Sequence, residues 1–304
     1  FEKFSMMART IGYILHNFKD PANPRAVILT DEVISENPEG GVGKGVFLKG
    51  LSKIKNMVTM DGKSFNSSKS FLWQRVTLST QIIALEDVMR YFDFEKQFSM
   101  ITEGIEVEKK NKDEIHIPFE RSPKIVITTN YAIKGAGNSF ARRKWELELH
   151  QHYTKTYTPL DEFGKLMFGD WSDDDWCEFD NYMLNNLQNF LVTGLVKSKF
   201  VNLKIRQLSA ETSHEFIEWC GLIDDQDREI VLDPGARLYK NDLYDNFVRE
   251  YPDYGASSRM SMSRTRFYKW LNSYAMFKEG VPPEEGRDAR GRWIVMRRKQ
   301  DVND

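Results

Sequence analysis

The segment Glu39-Gly40-Gly41-Val42-Gly43-Lys44-Gly45 constrains this chain more than any other stretch. It follows the short apolar run Ala26–Leu29 and precedes Val46, Phe47, Leu48, Leu51 and Ile54, which recur at helical spacing. Strand, glycine-rich loop and helix form the context in which a phosphate-wrapping loop occurs. Glycine reaches positive φ without a steric penalty, so successive backbone N–H groups can turn inward around an anion. The first turn of the next helix adds partial positive charge. Residues Glu39 to Val46 are therefore candidate nucleotide-binding positions, with Lys44 reaching the β- and γ-phosphates. The pattern departs from GxxxxGK[ST] in two places. Pro38 stands at the first glycine position, and Gly45 stands where a Ser or Thr hydroxyl normally meets Mg²⁺. The loop alone leaves two readings open, a phosphate cradle and an ordinary glycine-rich surface turn.

Two segments carry an apolar run into paired acids: Val27-Ile28-Leu29-Thr30-Asp31-Glu32 and Ile82-Ile83-Ala84-Leu85-Glu86-Asp87. Acids at a strand's C-terminal end can hold Mg²⁺ and orient an attacking water. Where a glycine loop of this kind binds a nucleoside triphosphate, the acidic strand follows the loop in chain order. Chain order therefore assigns the role to Glu86 and Asp87, as metal and catalytic residues, and leaves Asp31 and Glu32 as structural. Residues 105–108 and 115–119 read as a hairpin around the polar turn 109–114. Ile125–Thr129 is another core strand, ending in Asn130. Strands alternating with helices predict an α/β fold with a mainly parallel sheet.

Phe4, Met7, Ile11, Ile14 and Leu15 predict a helix over 4–18, and a long helix is expected over 175–196. The pattern changes near residue 205. Short helices over 212–220, 240–250 and 263–277, then a turn and the strand Arg292–Met296, suggest a small winged-helix-like α+β domain. The expected organisation is a helical segment (1–24), a P-loop ATPase domain (25–205) and the winged-helix-like domain (206–304). The Phe267, Trp270, Leu271 and Tyr274 stripe reads as core packing.

The chain has 304 residues, 40% apolar and 29% charged, enough for a substantial core. Its net charge of −2 hides an asymmetry: residues 254–300 carry eleven Lys/Arg against four Asp/Glu, a surplus of seven that leaves −9 elsewhere. A basic tail on an acidic body suggests a polyanionic partner. Arg264, Arg266 and Lys269 on the last helix, and Arg290 in the following turn, are the candidate nucleic-acid contacts there. Two cysteines without a CxxC pair fit a reducing compartment, and no apolar run has membrane-spanning length, so cytoplasm is the expected location and a membrane is not a partner. The five histidines lie without a cysteine pair beside them, which argues against zinc. Because the sequence begins at Phe1, we expect more protein upstream.

The order of parts is phosphate loop, acidic pair, basic hairpin, strand ending in asparagine and arginine pair. It resembles the superfamily 3 helicases, and within them the helicase part of phage primase–helicase proteins, whose loop is GGxGK. The resemblance covers about residues 25–150 motif by motif. It implies an AAA+-like core, ATP and Mg²⁺ as cofactors, and activity as a ring-shaped DNA helicase, a homo-hexamer on single-stranded or forked DNA. An upstream primase or polymerase domain is implied as well. Lys109, Lys110, Asn111 and Lys112 resemble the tip of the pre-sensor hairpin that grips the DNA backbone; some relatives have histidine near the position of Asn111. Asn130 resembles sensor 1, which meets the γ-phosphate or the attacking water. Arg142 and Arg143 resemble an arginine finger, with Arg142 preferred, which acts on a neighbouring subunit's nucleotide.

Two other functions compete. One is an AAA+-like initiator or loader that uses ATP as an assembly switch. The other is a nucleic-acid-binding module with a decayed ATPase, for which Gly45 is the evidence.

Overall fold

The computed structural model of the chain describes residues 2–32, 41–133, 135, 137–196, 202–223, 232, 235–255 and 261–297. The chain divides into two compact units, Phe1–Phe200 and Val201–Asp304.

The first unit is built on a five-stranded parallel sheet. Its strands are β1 (Ala26–Asp31), β2 (Met57–Asp61), β3 (Ile82–Val88), β6 (Lys124–Thr129) and β7 (Lys144–Leu149), in the order β2-β3-β6-β1-β7. Between β3 and β6 the chain makes the separate antiparallel hairpin β4 (Gly104–Lys109) and β5 (Lys112–Pro118). All six residues of β1 and of β6 are buried, as expected when both faces of a parallel sheet are covered. Alternate residues supply two cores. Val27, Leu29, Ala84 and Val126 pack with α1 (Glu2–Leu15), α2 (Lys44–Ile54) and α6 (Asp173–Thr193). Ile28, Ile83, Leu85 and Ile127 pack on the other face with Phe94, Ile101 and the hairpin's Val107 and Ile117. Ile101 belongs to α3 (Phe98–Thr102), which leads into the hairpin.

The expected helix over 4–18 ends at Leu15, and Phe4 is turned outward. A buried lysine defines that end: Lys124, from the start of β6, donates to the carbonyls of Tyr13 and His16. Carbonyls at a helix C-terminus lack intrahelical partners, and a cation satisfies both their hydrogen bonding and the helix dipole. Burial pushes the Lys124 ammonium down to about 7. Lys19 donates to Ser122 at 2.6 Å beside it and is pushed down to about 8 for the same reason. α1 crosses α6 at Gly12, where an added Cβ would lie 2.2 Å from the Asn186 carbonyl oxygen.

The first unit also contains α4 (Asn138–Arg143) and α5 (Pro159–Phe163). α6 begins at a capping box, in which Ser172 and Asp175 satisfy each other's backbone N–H groups.

The second unit comprises α7 (Asn202–Glu211), α8 (His214–Trp219), β8 (Arg237–Tyr239), α9 (Lys240–Glu250), α10 (Arg264–Glu279), β9 (Glu284–Asp288) and β10 (Gly291–Val295). The three strands form an antiparallel sheet in the order β8-β10-β9. Phe216, Trp219, Phe247, Phe267 and Trp270 are buried against one another, so the aromatic stripe of α10 is core. β2, α7, β8 and β9 were not expected from the sequence: the turn before the last strand, read over 286–291, is shortened by β9, which runs to Asp288, and the turn read over 109–114 is shorter, because β5 already begins at Lys112.

Candidate functional site

The C-terminal ends of parallel strands lie along one edge of the sheet. This edge collects Asp31 from β1, Asp61 from β2, Glu86 and Asp87 from β3, and Thr129 with the following Asn130 from β6. α2 starts beside it. Its N-cap, Gly43, has φ 93° and ψ 9°, and Gly41 has φ 89°, both in the left-handed region that glycine enters freely. A Cβ built on either, or on Gly45, meets no atom of the described residues within 4 Å. Among the described residues no side chain caps α2, and its first turn carries no acid. Glu39 and Gly40 lie outside the described residues; Gly41, Val42, Gly43, Lys44, Gly45 and Val46 lie within them.

Lys44, the first residue of α2, is buried and turns its ammonium toward the sheet edge. It donates to the Asp31 carboxylate and to the Asn130 side-chain oxygen, and lies 3.5 Å from the Thr129 carbonyl. The structure thus brings together two residues singled out by motif, Lys44 and Asn130. It adds Asp31, which chain order had set aside as structural. Local sequence could not show this contact, because it arises from α2 lying across the ends of β1 and β6, which are neighbours in the sheet. Glu32, next along, pairs with His150 at 2.7 Å.

Glu86 and Asp87 sit at an irregularity in the β3–β6 pairing, between Leu85 and Val88. Asp87 has φ 58°, an uncommon conformation outside glycine that Asp tolerates better than most residues. Two threonine hydroxyls of β6 brace it: Thr128 accepts from the Asp87 N–H at 2.8 Å, and Thr129 donates to the Val88 carbonyl at 2.8 Å. A bulge of this kind re-aims side chains out of the ladder. Both acids are half-buried, and Lys63 approaches Asp87 to 3.9 Å. Nearby, a hydrogen bond from the Ser64 hydroxyl holds the Asp61 carboxyl below its ordinary range.

The arginine pair separates into two environments. The Arg143 guanidinium stacks 4.4 Å from the Phe98 ring centroid and donates to the Ser139 carbonyl at 3.1 Å. Arg142 is exposed and makes no hydrogen bond or ion pair among the described residues. Lys144 follows, with its Nζ donating to the Ile133 carbonyl at 2.6 Å; burial lowers its ammonium from the ordinary value. In the hairpin, Lys109 pairs with Lys112 across the tip, Asn111 takes φ 56°, and Lys110, Asn111 and Lys112 are exposed. Neighbouring cations on an exposed tip repel one another unless an anion lies between them.

In the second unit the basic residues are largely engaged. Arg264 donates to Asp245 and Asn241, each at 3.0 Å, and Arg290 donates to Asp242 at 2.8 Å. Arg266 lies over Trp270 at 5.4 Å, whereas Lys269 is exposed. Arg298 and Lys299 lie outside the described residues. Among the described residues no cluster of His, Cys, Asp or Glu is able to hold a metal by itself, and no helix is long and apolar enough to cross a membrane.

The fold is thus α/β with a P-loop-like core: a five-stranded parallel sheet, a glycine loop leading into a helix, and polar residues gathered on one edge. No family model matches the chain, and no curated protein matches it. Among solved structures, the chain is similar to the apo A form of the NrS-1 C-terminal region, at 15% identity and a TM-score of 0.40, over 95% of this chain and 70% of that one. A second structure of that region, residues 305–718, is similar at 15% identity and a TM-score of 0.36, over 95% and 70%. A "putative ATPase" from Cytophaga hutchinsonii is similar at 11% identity and a TM-score of 0.33, over 91% of this chain and 75% of that one. These TM-scores lie below 0.5.

Proposed function

We propose that the first unit binds and hydrolyses ATP and that the protein is a ring-forming DNA helicase of the superfamily 3 type. The observation that carries the reading is the position of Lys44. Its ammonium stands at the N-terminus of α2, against Asn130 and on the sheet edge that also bears Glu86 and Asp87. This arrangement is suited to a polyphosphate, because two glycines at positive φ, a helix N-terminus and an ammonium lie together.

Bound Mg²⁺ would neutralise phosphate charge, and Glu86 and Asp87 are the residues to hold it. Gly45 supplies no hydroxyl, so the metal-side donors of this chain come from carboxylates. Asn130 orients the γ-phosphate or the water that attacks it, and one acid of the bulge takes the water's proton. Arg142, exposed and without a hydrogen bond or ion pair among the described residues, is the better-suited finger toward a neighbouring subunit, because Arg143 is held on Phe98. The hairpin lysines Lys109, Lys110 and Lys112 contact DNA phosphates, with Asn111 adding a neutral hydrogen bond. The second unit is read as a winged helix that adds contacts through Lys269 and, once released from their acidic partners, Arg264 and Arg290.

The test is steady-state ATP hydrolysis with and without single-stranded DNA, beside Lys44→Ala. DNA-stimulated hydrolysis that Lys44→Ala abolishes supports the motor, and strand displacement then separates a helicase from an initiator that uses ATP as a switch. An assembled ring that binds ATP without hydrolysing it favours the switch or a decayed ATPase, the readings to which Gly45 points.

A further inference from the structure

Lys44 has three N–H donors, and three acceptors surround its nitrogen: the Asp31 carboxylate, the Asn130 amide oxygen and the Thr129 carbonyl. Two of these contacts are close and the Thr129 carbonyl lies at 3.5 Å, so an incoming phosphate competes with these acceptors for the ammonium. The amide and the carbonyl are neutral, whereas Asp31 carries a full charge of the same sign as phosphate. Asp31 is 6% exposed and Lys44 is 8% exposed, so neither is well solvated, and each needs the other. β1 fixes the carboxylate, since Asp31 keeps strand register opposite Leu149 of β7 and the next N–H, that of Glu32, bonds the Leu149 carbonyl at 2.8 Å.

From this geometry, and resting on the ATP-binding reading above, we infer that Asp31 is an internal stand-in for phosphate: it pairs with Lys44 and competes with nucleotide for the ammonium. Binding exchanges a Lys44–Asp31 pair for a Lys44–phosphate pair and leaves a carboxylate close to the new anion. Asp31 therefore sets nucleotide affinity low and favours release, independently of the acids on β3. It is a positioning residue, acting through Lys44.

The test measures binding of ATP to the full chain by calorimetry, once with Mg²⁺ and once with a chelator, for the unaltered protein, Asp31→Asn and Lys44→Ala. Asp31→Asn keeps the shape and removes the competing charge. It is expected to bind ATP at least about tenfold more tightly under both conditions, because without nucleotide its buried ammonium keeps neutral acceptors and has lost its counter-charge, which phosphate restores. The same variant melts earlier without ATP and gains more from saturating ATP than the unaltered protein, a pairing that loss of structure alone does not produce. Should Asp31→Asn fail to fold, Asp31→Ser tests the same charge. Unchanged or weaker binding overturns the inference, and weakening confined to the Mg²⁺ arm would move Asp31 to the metal side. ATP binding lost in Lys44→Ala upholds the site whatever Asp31 does; absence of binding in every folded variant removes both the site and the inference.

Discussion

The crossing of α1 and α6 admits a substitution whose sign is decided by geometry against propensity. Alanine is favoured over glycine inside a helix by about 1 kcal/mol, so Gly12→Ala taken locally would stabilise. In the folded chain its Cβ would fall 2.2 Å from the Asn186 carbonyl oxygen and 2.6 Å from the Phe190 Cβ. Neither atom is the far end of a flexible side chain, so relief requires the helices to separate by roughly 1 Å, a gap that forfeits a quarter to a half of each dispersion contact along the seam. Overpacking of this kind costs about 1–3 kcal/mol, and the rigid partners place Gly12→Ala at the upper end of that range. After the propensity gain the net destabilisation is about 2 kcal/mol. Gly50→Ala is the internal control: it also lies in a helix, α2, but its Cβ would make only ordinary contacts, with the Phe168 ring at 3.4 Å and Met183 at 3.7 Å. That substitution should gain about 0.5–1 kcal/mol. Urea denaturation of the full chain, followed by circular dichroism, reads both. A Gly12→Ala protein as stable as the parent, or more so, would refute a close crossing of α1 on α6.

Three further outcomes follow from the same structure. Lys124, at about 7 when folded, lies below its ordinary 10.5, so the folded state binds fewer protons than the unfolded between those values and stability rises with pH there; Lys19, at about 8, acts in the same direction. The melting temperature should therefore climb from pH 7 to roughly 9.5, below the range where tyrosines titrate, and Lys124→Met should flatten most of that slope, whereas an equal slope in the variant would exclude Lys124 as its source. Replacing Lys110 and Lys112 together by alanine should weaken single-stranded DNA binding and reduce the salt slope by about 1.4, read by fluorescence anisotropy at several salt concentrations; an unchanged slope would take the hairpin out of the DNA path. Arg142→Ala should abolish hydrolysis while leaving melting within about 0.5 kcal/mol of the parent, whereas Arg143→Ala should lower stability through the lost Phe98 stacking. The reverse pattern, read by melting and ATPase assays, would exchange their roles.

Much of the sheet was legible because its strands are short apolar runs closed by polar residues. β1, β3 and β6 all read in this way, and the glycines before Lys44 located the loop and the start of α2. β2 was missed because Met57-Val58-Thr59-Met60-Asp61 is only partly buried at the edge of the sheet, so its sequence lacks a continuous apolar signature. The shortened hairpin turn depends on Asn111 adopting a left-handed conformation, and the polar residues around it gave no reason to resume the strand at Lys112. The contact of Asp31 with Lys44 was illegible for a deeper reason. Chain order separates it from Asn130 by almost one hundred residues, whereas the strand order places β1 beside β6, and no local pattern encodes strand order.

The hairpin is inserted between β3 and β6: the chain reaches it from the strand that carries the acid pair by way of α3, and a short turn over 119–121 leads from it into the strand that ends at Asn130. Those two strands are stitched together at the site edge by the Thr128 and Thr129 side-chain hydrogen bonds. The hairpin is thus a tool mounted on two adjacent bearings. A slip of one of these strands against the other would shift the segments that enter and leave the hairpin, and with them Lys110 and Asn111, with the threonine stitches limiting its travel. Loosening them, by Thr128→Val for instance, would let the tip wander without removing a single charge from it.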